Sequence, residues 1–392
     1  MEDREVRSGR SDELNGLRGL AALVVVFLHF SVLFPSSRWT FFWKASPLSL
    51  LTSGHGSVVI FFLLSGFALH RMSLKTAGFG YHAFALRRIT RIYGPYIAAL
   101  TLALAGNFWL ARGIRPEFTD WFNHTWTVPI SRRAVWQHIV FLGEYDTGPF
   151  SPAFWSLVHE MRISLVFPLL VLIVKRRSAV WFSCAAVFLL VAGSLLKANI
   201  SAPNNLGESL HYAGLFVAGI YISQHERSLA NWFRSQGATF QELFLVSALT
   251  LFCYGRFASH LFPFGYGELQ DIPVGLAGAA LIVVAFASQH CSALLVSKPI
   301  VWLGTRSYSL YLVHGTVLFG LVNLLNMSRP SLLLLPLYLA LALFSAHVFY
   351  MAIERPMVLL SRKFTPNIPP AATTSDALSQ VGSETDKSFL QR

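Results

Sequence analysis

Ten apolar blocks, spread over nearly the whole chain, constrain the fold more than any single motif does. They run over about 19–36, 56–70, 92–111, 154–174, 179–197, 209–224, 240–257, 272–289, 299–323 and 332–353, the second and sixth being short. A bilayer core takes roughly 17 to 25 apolar residues per helix, and helices are one of the few structures that satisfy every backbone group in hydrocarbon. The expectation is an all-α polytopic membrane protein with about ten transmembrane helices in one bundle. Polar residues Met1–Glu13 precede the first block and no small-residue cleavage site follows it. That block is therefore expected to stay as a helix and not to be removed as a signal peptide.

Charge supports the same picture. With 54% hydrophobic and 13% charged residues and a mean hydropathy of +0.52, an ordinary soluble domain is excluded. A net charge of +12 would suggest nucleic acid in a soluble protein, but in this chain the positive-inside rule accounts for it. Placing the N-terminus in the cytoplasm puts eighteen Lys and Arg inside, among them Arg18, Arg71, Arg87, Arg88, Arg91 and Arg362, against nine outside. Both termini are then cytoplasmic, which needs an even number of spans. Cys184, Cys253 and Cys291 show no paired spacing, so neither a disulfide framework nor a metal site is expected.

One membrane domain, 1–363, accounts for nearly the whole chain. The longest loop, 112–153, faces outward in this topology and carries Trp121, Trp126 and Trp136. Its Val135–Gly143 piece is too short to span and is expected to lie in the interface or to re-enter the bundle. The tail, 364–392, turns polar from about Pro366 and is expected to be a disordered cytoplasmic segment. No internal repeat is visible.

Ionisable groups within the blocks are the candidate functional residues. Arg18 and His29 lie eleven residues apart with only small and apolar residues between them. On a helix that is about three turns, so both fall on one face about 16 Å apart along the axis. Intramembrane charge is expensive and usually functional, although a histidine bonded to a neighbouring helix for packing is an equal alternative. Phe61-Phe62-Leu63-Leu64-Ser65-Gly66 closes the second block, where small residues also suit close helix packing. The run Arg87-Arg88-Ile89-Thr90-Arg91-Ile92-Tyr93 opens the third. Its guanidiniums, at three- and four-residue spacing, suit a phosphate-bearing ligand through bidentate bonds, with a topology signal or lipid headgroup contact as the competing readings. Trp155-Ser156-Leu157-Val158-His159-Glu160 opens the fourth block, where Glu160 needs a partner: His159, Arg162 or the first-block histidine. The ninth carries Leu303-Gly304-Thr305-Arg306 through His314, and Glu354-Arg355 closes the tenth as a structural lock.

In this order and spacing the motifs resemble the acyltransferase family 3 membrane proteins, which O-acylate sugars, polysaccharides and some small natural products. The resemblance covers roughly 12–363. It implies an acyl-CoA donor, acetyl-CoA above all, as a substrate with no permanently bound cofactor. It also implies an Arg-(ten residues)-His element matching Arg18 and His29, and a Trp-Ser-Leu…Glu element matching Trp155, Ser156, Leu157 and Glu160. The Arg-rich mouth, Arg87, Arg88 and Arg91 with Tyr93, would hold the donor. The acceptor implied is a carbohydrate, glycan or glycosylated small molecule, with membrane lipid around the protein. Two departures stand out: Gly94-Pro95 in place of two prolines, and Ile163-Ser164 in place of an aromatic pair.

Acyl transfer from a thioester to a hydroxyl needs a base, and a neutral imidazole, with an ordinary pKa near 6.5, is the natural one. His29 is the expected base, Glu160 the expected orienter of its tautomer, and Arg18 an electrostatic residue directed at donor phosphates or at a carboxylate. No Gly-x-Ser-x-Gly elbow is present, which favours direct transfer over an acyl-enzyme. The rival readings are a multi-span transporter or flippase of a sugar- or lipid-linked substrate, and a receptor without catalysis.

Overall fold

The structure is a computed structural model that describes residues 2–35, 38–75, 80–127, 129–143, 145–174, 178–199, 205–259 and 267–364. Beyond Phe364, the tail whose disorder was expected lies outside the described residues. Among the described residues there are α-helices joined by short 3₁₀ and π turns, and no strand. The first half contains α1 (Glu2–Ser31), α2 (Arg38–Ala45), α3 (Gly54–Lys75), α4 (Tyr81–Leu110), α5 (Asp120–His124), α6 (Arg132–Val140), α7 (Trp155–Val174) and α8 (Ala179–Asn199). The second contains α9 (Leu206–Gln224), α10 (Glu226–Ser235), α11 (Ala238–Ser259), α12 (Asp271–Ala287), α13 (Gln289–Leu295), α14 (Lys298–Thr305), α15 (Ser307–Leu324), α16 (Leu334–Phe349) and α17 (Arg355–Lys363).

Each of the ten apolar blocks lies on helix, as an all-α polytopic membrane protein requires. Length and hydropathy among the described residues do not by themselves reach the expected count of about ten spans. Seven helices are long and apolar enough to cross a membrane, or eight if α12 and α13, bent by 89° across Ser288, form one broken span. Helices α4 and α9 have the length, 30 and 19 residues, but are more polar: α4 carries Arg87, Arg88, Arg91 and Asn107, and α9 carries Glu208 and His211. The ninth block is broken at Arg306, whose guanidinium bonds His347 Nδ1 at 2.9 Å and lies 4.4 Å over the Trp302 ring. The tenth passes through a π turn, Tyr350–Glu354, before α17.

Helix α15 is the centre of the bundle, 78% of its span buried, whereas α11 buries only 17% of its own and presents the rest to the surroundings. Around α15 lie α1, α4 and α16, while α3 packs between α1, α9 and α12. Missing side chains set the closest approaches. A Cβ on Gly19 would lie 2.6 Å from the Gly304 backbone nitrogen, so α1 and α14 meet backbone to backbone. Gly66 meets the Phe216 backbone in the same way, which seats α3 on α9. This is the small-residue logic of helix packing in lipid, where no hydrophobic force pulls helices together.

The arginines of α1, α3, α4 and α17 gather at one end of the bundle, the basic end. At the opposite, far end, α5 folds over the end of α1, while α6 lies against the flanks of α4 and α7, where Tyr93 donates to Ile139 O and Arg162 to Phe141 O. Thr119 caps α5 through the Phe122 N–H and donates its hydroxyl to Val32 O at 2.6 Å, tying the loop to the end of α1. Helix α6, the piece too short to span, is capped by Ser131 and buries His138 against Tyr145 and Phe150.

Candidate active site

A cavity of about 690 Å³ opens at the basic end and runs into the bundle between α1, α3, α4, α7, α15 and α17. Arg18, Arg71, Arg87, Arg88, Arg91 and Arg362 line it, against two carboxylates, Glu160 and Glu354. Six guanidiniums against two lining carboxylates leave a local excess of positive charge, even with Arg71 3.8 Å from Glu226 outside the lining. Some of it is held structurally. Arg88 is buried; its Nη2 donates to Ser164 Oγ at 2.7 Å and lies 3.7 Å from Glu160 Oε1, while its Nε has no partner among the described residues. Glu160 Oε1 also accepts the Ser65 hydroxyl at 3.0 Å. Glu354 accepts the Ser309 N–H at 3.1 Å and the Ser309 hydroxyl as well, which anchors the π turn to α15. Arg18 and Arg91 make no hydrogen bond among the described residues; the charges near Arg18 include Arg88 and Arg91 as well as Glu160 and Glu354.

The deep end of the cavity is closed by aromatic and hydroxyl groups. Ser156 and Tyr311 share a hydrogen bond of 2.7 Å, and the Phe61 and Tyr311 rings meet edge to face with centroids 5.6 Å apart. One turn further along α15 stands His314, its ring centroid 6.0 Å from that of Tyr311. His29 Nδ1 lies 2.7 Å from His314 Nε2, and the indole of Trp121 lies near-parallel to the His29 ring at 5.3 Å. His29 is 9% exposed, and its Nε2 makes no hydrogen bond among the described residues.

The expected site residues therefore fall into two groups. Arg18, Arg87, Arg88, Arg91 and Glu160 come together at the cavity, and His29 stands beyond its deep end. Three expectations are corrected. Glu160 does not orient His29; its oxygen is engaged by Ser65 and Arg88, and the ring nitrogen of His29 is met by His314. Nor do His159 and Arg162 serve Glu160: His159 bonds Ser209 and Glu208, both at 2.9 Å, and Arg162 donates to Phe141 O. Tyr93, expected with the arginines, instead donates its hydroxyl to Ile139 O at 2.6 Å and does not line the cavity. Ser65 and Gly66 divide their work, the serine facing the cavity and the glycine the neighbouring helix. Both departures from the family pattern have physical counterparts: Ser164 holds Arg88, and Gly94 leaves room for Met357 of α17, which a Cβ would approach to 2.9 Å.

Three cavity residues, Arg71, Arg362 and Glu354, stand out in the sequence only as topology signals or as a structural lock, and His314 only as part of a motif. The available signal for His314 is the one that marks His29: a lone imidazole on an apolar helix.

Comparison with known proteins gives the family. Residues 11–351 match the acyltransferase domain of family 3. The chain is 21% identical over 371 residues to the peptidoglycan O-acetyltransferase OatA of Listeria monocytogenes, a match covering 88% of this chain. It is 25% identical over 414 residues to the acyltransferase MdmB of Streptomyces mycarofaciens, covering 94% of this chain and 97% of that one. The chain spans about half the length of OatA, 55%. No solved structure matches it. A match to the family over residues 11–351, nearly the whole membrane bundle, places this chain in acyltransferase family 3, the membrane O-acyltransferases.

Proposed function

We propose that the chain moves an acyl group, an acetyl above all, from acyl-CoA to a hydroxyl of a carbohydrate or glycan-type acceptor. The observation that carries this reading is the cavity: a deep pocket in an apolar bundle, ringed by guanidiniums of which Arg18 and Arg91 bond nothing in the described protein. Coenzyme A is an anion at one end and a thioester at the other. Its phosphates would take the charge-assisted bonds that these arginines have free, as guanidinium forks suit phosphate oxygens. The pantetheine arm would then direct the thioester towards Tyr311 and Ser156, where apolar walls exclude water and limit hydrolysis.

His29 Nε2 takes the proton of the acceptor hydroxyl as its oxygen attacks the thioester carbonyl. The tetrahedral oxyanion collapses, breaking the C–S bond. The departing thiolate takes the proton from the imidazolium, so the step ends with an ester, free thiol and neutral His29. When Ser156 donates to Tyr311, the tyrosine keeps its own proton free for the oxyanion. With both termini in the cytoplasm, as the positive-inside count favours, the donor enters from the cytoplasm. The acceptor then meets the acyl group in the outer half of the bundle. The relatives named for peptidoglycan O-acetyl transfer and for acyl transfer support an acceptor rich in hydroxyls.

Donor recognition is tested by equilibrium binding to the purified full chain. Acetyl-CoA should bind, binding should weaken with salt, and removing the 3′-phosphate should weaken it by about tenfold or more, the value of one charge-assisted contact. Equal affinity with and without that phosphate, or no binding, would contradict the reading. The acceptor is identified by mass spectrometry of envelope glycans and secreted metabolites from cells with and without the gene.

A further inference from the structure

We propose that His314 is the positioning residue that decides which nitrogen of His29 takes the acceptor's proton. The inference rests on His29 being the base, and it follows from accounting for hydrogens. His314 Nδ1 lies 3.0 Å from the carbonyl oxygen of Leu310, one turn back on its own helix. A carbonyl can only accept, so this nitrogen carries a hydrogen, and neutral His314 presents a bare Nε2. His29 Nδ1 is 2.7 Å from that bare nitrogen. Two lone pairs at that distance would repel, so His29 supplies the hydrogen from Nδ1 and keeps Nε2 bare. That is the protonation state a general base needs, and this nitrogen makes no hydrogen bond among the described residues.

Ring geometry agrees with a true hydrogen bond. The two imidazole planes are within 9° of parallel with centroids 4.9 Å apart, which together with the short N···N contact means the rings meet end to end near a common plane. The hydrogen then lies on the line between the nitrogens. Trp121 packs near-parallel to the His29 ring, and Phe319 packs against Trp121 with centroids 5.5 Å apart, so the imidazole has little freedom to flip. In hydrolase triads a carboxylate fills the role that His314 takes in this bundle. An imidazole suits a span better at rest, because the neutral pair places no charge in the bundle. Once His29 gains a proton at Nε2, the same Nδ1–H···Nε2 bond becomes charge-assisted and stabilises the imidazolium.

The test uses the full chain purified in lipid nanodiscs with acetyl-CoA, following thiol release with water or a soluble peptidoglycan disaccharide as acceptor. His314→Leu should lower kcat by about 10² to 10³, less than the roughly 10⁴ lost when a hydrolase loses the correct tautomer, and leave the acetyl-CoA KM unchanged. His314→Gln, whose Oε1 reaches the same acceptor position, should recover about tenfold or more over Leu. A packing role would affect both variants alike and would not be rescued by Gln. His314→Met, equal in bulk and lacking a strong acceptor, takes the place of Leu if that variant does not assemble. Wild-type turnover in Leu or Met, or Gln no better than either while all bind acetyl-CoA, would overturn the proposal. If His29→Ala is also fully active, or the wild type releases no thiol, the base reading falls and takes this inference with it. If His29→Ala is inactive while His314→Leu is not, only the inference falls.

Discussion

On the wall of a cavity in an apolar bundle, a guanidinium that bonds nothing in the described protein has its whole fork available to an anion. Arg18 is the clearest case. Arg88 has Ser164 and Glu160 to hold it, and removing it would strand a carboxylate; Arg18 bonds nothing in the described protein. Its substitution therefore reads ligand binding with little structural cost. Arg18→Ala should raise the acetyl-CoA KM by about 10- to 150-fold, the equivalent of roughly 1.5–3 kcal/mol for one charge-assisted bond. Arg18→Lys should recover only part of that, because an ammonium keeps the charge and loses the fork. Steady-state kinetics at several donor concentrations checks both, and full recovery with Lys would leave Arg18 only a general field. At this scale the sequence is legible where partners lie on one helix. The spacing of Arg87, Arg88 and Arg91, or of Arg18 and His29, places them without any tertiary knowledge. Glu160 with Arg88, and His29 with His314, are pairs between helices, and helical periodicity says nothing about which helix lies opposite.

Between elements, the contact that sets the depth of Arg18 is the α1–α14 approach at Gly19 and Gly304. A side chain at Gly19 has backbone atoms, not a flexible side-chain end, in its way. Gly19→Val should push the helices apart, destabilise the protein by about 1–3 kcal/mol through overpacking, and weaken donor binding as Arg18 moves. A lowered thermal midpoint with a raised acetyl-CoA KM is the expected result; an unchanged KM would detach Arg18 from the donor. A second expectation concerns α6. Burial among Tyr145 and Phe150 lowers the His138 pKa to about 4, from an ordinary value of 6.5. The folded protein therefore resists a proton at His138 that the unfolded chain accepts. Its stability is complete above pH 6.5 and falls as pH drops from there towards 4, on the order of 3 kcal/mol in all. Thermal melts across that window should fall more steeply for the wild type than for His138→Phe, and parallel curves would refute the assignment. Bilayer-length apolar blocks foretell every long helix, since length and hydropathy act locally. They miss the 89° bend after α12, the break at Arg306 and the π turn before α17, because a bend changes neither composition nor length.

Taken whole, the bundle holds a basic cavity at one end and a histidine pair beyond a tyrosine–serine wall towards the other. Membership of acyltransferase family 3 removes the transporter and receptor readings that a basic, many-helix chain otherwise allowed. Gly237, exposed between α10 and α11 with open space around it, and Arg112, exposed beyond α4, lie in loops that the positive-inside count assigns to opposite sides. Gly237→Cys should label only from the cytoplasm and Arg112→Cys only from outside; the reverse pattern would invert the route of the acyl group. The division of labour itself is tested on a single helix. Acetyl-CoA binding and thiol release are measured side by side for Arg18→Ala and His29→Ala, which lie about three turns apart on α1. Arg18→Ala should lose donor affinity while largely keeping kcat, and His29→Ala should bind acetyl-CoA normally while kcat falls by about 10² to 10⁴. Wild-type turnover in His29→Ala, or equal losses of affinity in both variants, would contradict that division of labour.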